Sequence, residues 1–184
     1  VDTQATTQLW LLILGGLAGL MLAPGEGLAT LPPSMQTLAA LLAAAPLSLL
    51  MGRFGRRAGF ALGALLTLFG ALAAMQALYS ANFVLLCIAH FLMGAGWAAF
   101  QYFRFAAGEV VEPKWRPVAI SFMLSSLLIA ALVGPQLFIV ARDALDTIPF
   151  AGAYAGVAGL SLQGHLPLAA VRIPLPERAA RPEG

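Results

Sequence analysis

Residues 28–59 read LATLPPSMQTLAALLAAAPLSLLMGRFGRRAG, and this stretch decides the fold. Between Leu28 and Met51 no side chain carries a charge. About 20 mainly apolar residues suffice for a helix to cross the hydrocarbon core of a bilayer. The run closes on Arg53-Phe54-Gly55-Arg56-Arg57, and a second apolar run starts at Ala58. Glycine permits a tight turn there. Two apolar spans joined by a short basic turn are expected of a membrane helix pair. Pro32, Pro33 and Pro46 lie in the first span, and a bundle tolerates them where neighbouring groups satisfy the freed carbonyls.

The rest of the chain repeats this pattern. Spans are expected near 6–24, 28–51, 58–79, 83–107, 118–141 and 148–171, giving an all-α, six-transmembrane-helix domain over 1–171 and a tail over 172–184. The breaks carry turn residues or charge: Pro24-Gly25-Glu26-Gly27, the arginine turn, Ser80-Ala81-Asn82, Glu112-Pro113-Lys114, and Arg142 to Asp146. Of the 184 residues, 60% are hydrophobic and 10% charged, with mean hydropathy +0.88. A soluble domain carries roughly 25% charged residues to face water. A soluble globule is therefore excluded. The single Cys87 rules out an internal disulfide, and the N-terminal residues lack the positive region of a cleavable signal peptide.

Loop charges orient the spans. Arg53, Arg56 and Arg57 follow span 2, Lys114 and Arg116 follow span 4, and Arg172, Arg178 and Arg181 follow span 6. The other side carries Glu26, an uncharged turn at 80–82, and Arg142 offset by Asp143 and Asp146. Lys and Arg mark the cytoplasmic side, so both termini are expected inside. Gly94-Ala95-Gly96, Gly152, Gly156 and Gly159 form small-residue surfaces on which helices approach closely, within the chain or across a dimer.

Arg53-Phe54-Gly55-Arg56-Arg57 resembles the basic loop that major facilitator superfamily (MFS) transporters carry between their second and third spans. There an acidic residue precedes Arg-x-Gly-Arg-Arg; here that position is Gly52. Leu22-Ala23-Pro24, Leu28 to Pro32, Tyr102 to Ala107, Ala119-Ile120-Ser121 and Gly134-Pro135-Gln136 follow in an order similar to a bacterial subgroup that includes CcoA-type copper importers. The resemblance runs from span 1 to the tail and covers one half of such a transporter. It implies an N-terminal half with spans 1 and 4 facing a cavity, and a substrate site between two halves related by pseudo-symmetry. Pro174-Leu175-Pro176-Glu177-Arg178 resembles the start of the central linker. The subgroup's copper motifs fall in the other half and transfer to no residue here.

Inside the membrane, Cys87-x-x-His90-x-x-Met93 places a thiol, an imidazole and a thioether at helical spacing. That soft set suits copper(I), and Met21 and Met35 are further thioethers. The same residues more often serve as ordinary packing groups. Arg104, late in span 4, is expensive in hydrocarbon. It either snorkels to the cytoplasmic interface beside Glu109 or lines the cavity. Glu26 reads as a solvated loop residue and His165 as packed or interfacial.

No nucleophile triad, phosphate loop, paired carboxylates or Cys-x-x-Cys appears, so no enzyme is expected. No basic face remains for nucleic acid once the loops are assigned. No cofactor is expected, copper entering only as a substrate. The expectation is half of a secondary transporter for a small solute, with copper as one choice, in the bacterial cytoplasmic (inner) membrane. The rival is a non-transporting accessory subunit derived from such a half and docked on an oxidase or photosynthetic complex. Expected partners are the lipid bilayer and a second six-helix half, a homodimer mate or that larger complex.

Overall fold

In the computed structural model, the described residues are 3–102, 112–115, 117, 118, 121, 122, 125, 136 and 150–159. They form helices α1 (Thr3–Leu22), α2 (Leu31–Phe54), α3 (Arg56–Tyr79) and α4 (Phe83–Gln101). A further helical stretch covers 151–159, and no strand occurs among the described residues. Helices α2, α3 and α4 are each long and apolar enough to cross a membrane. The described residues are those of an all-α membrane protein. The span expected at 118–141 and the tail fall almost wholly outside the described residues.

The helix boundaries differ from the expected spans where local chemistry intervenes. Helix α2 starts at Leu31, not 28, because Pro32 and Pro33 fit a first helical turn, where an N–H would lack an intrahelical partner anyway. Residues Glu26–Leu28 form a separate 3₁₀ turn. At its other end α2 runs past Met51 to Phe54, with Arg53 in the last turn, where a cation complements the helix dipole. The single residue Gly55 then separates α2 from α3, at φ 86° and ψ 157°. That combination is open almost only to glycine. Helix α3 therefore opens at Arg56, two residues before the expected 58. Helix α1 spans 3–22 where 6–24 was expected. Helix α4 starts after Asn82, whose side chain accepts a hydrogen bond from the Leu85 N–H at 3.0 Å.

Packing follows the logic of a lipid solvent. Buried positions on α3 and α4 are mostly small: Gly63, Ala64, Gly70, Ala71, Ala74, Ala89, Gly94, Gly96 and Ala99. Large apolar side chains such as Leu41, Leu49, Phe69, Leu72, Val84 and Ile88 point outward. Lipid tails are as apolar as leucine, so close backbone approach, not burial of bulk, holds the helices together. A Cβ added at Gly96 would press on Gly63 and Thr67 of α3, and one at Gly94 on the Gln36 carbonyl of α2. Thus the Gly94-Ala95-Gly96 surface serves contacts within the chain. Gly63 lies against Ala99 and Gly70 against Ala89, so α3 and α4 run antiparallel. Gln36 meets His90 and Ala44 meets Tyr102, so α2 and α4 run parallel.

Candidate functional site: a buried histidine and a cleft between two helices

Helix α4 supplies the centre of the site. Its buried residues Leu86, Ala89, His90, Met93 and Gly94 recur at three- and four-residue intervals, which puts them on one face. His90 lies about 10 Å along α4 from Phe83, by the helical rise, and is fully buried. Its Nδ1 is 3.1 Å from Oε1 of Gln36 on α2. Its Nε2 is 2.8 Å from the hydroxyl of Tyr154 in the 151–159 helix. The two rings meet edge to face, with centroids 5.9 Å apart and planes at 81°. Beneath the imidazole lies Gly15 of α1, where an added Cβ would come within 2.7 Å of Cε1.

The partners of the ring fit a neutral imidazole. An amide oxygen only accepts, so Nδ1–H donates to Gln36, and the Tyr154 hydroxyl donates to Nε2. A neutral imidazole has one of each role to offer, and both are used. An unpaired polar group costs several kcal/mol in hydrocarbon, on the order of the water-to-apolar transfer of an amide. Four segments of the chain thus converge on one side chain.

Among the other residues singled out from the sequence, Met93 is buried against Gly70. Cys87 is a half-buried free thiol, and Met21 is exposed. Among the described residues no three His, Cys, Asp or Glu side chains gather where they would hold a metal. Arg53 lies with its guanidinium carbon 5.5 Å from the ring centre of exposed Phe54. Arg56 and Arg57 open α3 on the other side of Gly55. Lys114 forms an exposed ion pair with Glu112 at 2.8 Å. Arg104, Glu109 and His165 lie outside the described residues. Gln36 and Tyr154 were not singled out from the sequence. The available signal was a lone amide within an apolar span, since such polar groups often join membrane helices.

A second feature lies further along the same two helices. A cleft of about 410 Å³ is lined by Thr37, Ala40, Leu41 and Ala44 of α2 and by Trp97, Ala98, Gln101 and Tyr102 at the end of α4. The Tyr102 hydroxyl donates to the Ala44 carbonyl at 2.8 Å, and the Thr37 hydroxyl to the Pro33 carbonyl at 3.1 Å. Both fix the walls of the cleft.

The chain is 36% identical over 149 residues to the riboflavin transporter RfnT of Brucella anthropi, a match covering 81% of this chain and 37% of that protein. Two uncharacterized MFS-type transporters of Bacillus subtilis also match. YddS is 32% identical over 67% of this chain, and YdeG 30% identical over 64%. The likeness supports membership of the major facilitator superfamily. The matches cover 37%, 28% and 27% of the relatives' own lengths, so the chain matches well under half of each. No family model matches the chain, and no solved structure does. These relatives are named transporters, which fits a non-enzyme.

Proposed function

We propose that this chain forms one six-helix half of an MFS-type secondary transporter for a small organic solute, in the bacterial inner membrane with both termini cytoplasmic. A second six-helix half completes the path, since alternating access in this architecture rocks two halves about one site. The observation that carries the reading is the 36% identity to a named riboflavin transporter over four-fifths of the chain. Riboflavin is accordingly the first substrate to test. The His90 cluster supports the reading from another direction, because it ties α1, α2, α4 and the 151–159 helix into a unit able to move as one body.

Copper, and with it kinship to CcoA-type importers, has weaker support. Both ring nitrogens of His90 already hold partners, so a metal joining Cys87, His90 and Met93 would first displace Gln36 or Tyr154. The accessory-subunit reading gains nothing from relatives that are named transporters. The test is uptake by a riboflavin-auxotrophic bacterium lacking its own importer and expressing the complete gene product that carries this chain. Growth on micromolar riboflavin and uptake of labelled riboflavin are expected. Copper accumulation without riboflavin uptake would replace this reading with the metal one, and neither flux would remove transport of both.

A further inference from the structure

We propose that the cleft between α2 and α4 is a subsite for a neutral, planar heteroaromatic ring, with Trp97 stacking on its face and the Gln101 amide bonding to its edge. This rests on the transporter reading above and adds to it the residues that recognise the solute.

The cleft's lining makes the case. On α2, Thr37, Ala40, Leu41 and Ala44 share one face at three- and four-residue spacing. Ala40, Ala44 and Ala98 leave the floor low, and the volume of about 410 Å³ falls in the range of small-molecule sites. The hydroxyls of Tyr102 and Thr37 are spent on backbone carbonyls. That leaves the Trp97 indole N–H and the Gln101 amide, one helical turn apart on α4. Neither has a hydrogen-bond partner among the described residues, and both are half-buried. A polar group without a partner on a membrane helix is costly, and a carboxamide wants both a donor and an acceptor opposite it.

The described lining favours a neutral occupant. Among the described residues that line the cleft there is no Asp, Glu, Lys, Arg, His, Cys or Met. These residues offer an ionic solute no counter-charge and copper(I) no soft ligand. What remains is an indole and an amide among the lining residues. A flat ring presents a π-face to the first and an adjacent carbonyl and N–H to the second. An isoalloxazine ring carries such an edge.

The test uses the full chain in lipid nanodiscs with Trp10→Phe and Trp115→Phe, leaving Trp97 as the only tryptophan of the chain. It is titrated with riboflavin, with lumichrome (the ring without the sugar-alcohol chain) and with ribitol. Saturable quenching of Trp97 by riboflavin and lumichrome, but not by ribitol, is expected. Gln101→Leu should weaken both ring ligands about tenfold, the scale of one lost hydrogen bond, without lowering the unfolding temperature of the unliganded chain. Riboflavin bound in equilibrium dialysis without quenching Trp97, and indifferent to Gln101→Leu, would overturn the subsite and leave transport standing. Loss of riboflavin uptake in cells would instead strike the transporter reading itself. Absence of binding by either ring compound overturns the subsite.

Discussion

The hydroxyl of Tyr154 donates to Nε2 of His90 across 64 residues of chain, at 2.8 Å. With Gln36 on the opposite nitrogen, three helical segments share a neutral hydrogen-bonded chain in the middle of the bundle. Hydrogen bonds between membrane helices contribute about 0.6 kcal/mol on average and up to roughly 1.7. Tyr154→Phe and Gln36→Leu should each destabilise the chain within that range. The two bonds share one imidazole, so the double variant should depart from additivity by at least about 0.5 kcal/mol. Unfolding in mixed micelles measures all three; strict additivity would show that the bonds act independently.

Gly15 gives a second handle on the same joint. An alanine there would place Cβ against the imidazole, and a ring wedged between two fixed partners cannot swing aside without breaking a bond. Gly15→Ala should cost about 1–3 kcal/mol by overpacking. In a His90→Ala background the same change should be nearly free, because the clashing ring is gone. The neighbouring Gly16 meets nothing within 4 Å, so Gly16→Ala should be neutral or stabilising by up to about 1 kcal/mol. Thermal unfolding of the four variants checks the pattern.

These contacts also mark how far the sequence could be read. The start of α4 was legible because Asn82 is a strong N-cap just ahead of an apolar run. The end of α2 was placed early, at Met51, because charge marks the edge of the membrane and not the end of a helix; the helix stops only where Gly55 turns. Cys87, His90 and Met93 do lie along one helix, as their spacing requires. The partners of His90, however, come from positions 54 and 64 residues away. No local period encodes such a meeting. Trp97 and Gln101 belong to no local motif, and they line a cleft only because α2 packs beside them.

The interface between α2 and α4 should be unusually intolerant at one point. A Cβ on Gly94 would overlap the backbone carbonyl of Gln36, which cannot rotate away as a side chain could. Gly94→Ala should therefore push the parallel helices apart, loosen the Gln36–His90 bond and cost about 1–3 kcal/mol. Gly52→Ala, where nothing lies within 4 Å, is the control and should be neutral or stabilising by up to about 1 kcal/mol. If Gly94→Ala unfolds at the wild-type temperature, the close approach of α2 and α4 is not required.

The Gly55 turn joins geometry to topology. Its backbone, at φ 86° and ψ 157°, costs a residue with a Cβ about 1–3 kcal/mol, so Gly55→Ala should destabilise the α2–α3 hairpin by that amount. The flanking Arg53, Arg56 and Arg57 are expected to hold the turn on the cytoplasmic side. A phosphatase that is active only in the periplasm, fused after Arg57, should be silent. The same enzyme fused at Asn82, one α3 length away across the bilayer, should be active. Replacing the three arginines by asparagine should raise activity of the first fusion, because the orienting charge is removed while the apolar spans remain. An active fusion after Arg57 in the unaltered chain would invert the assigned orientation.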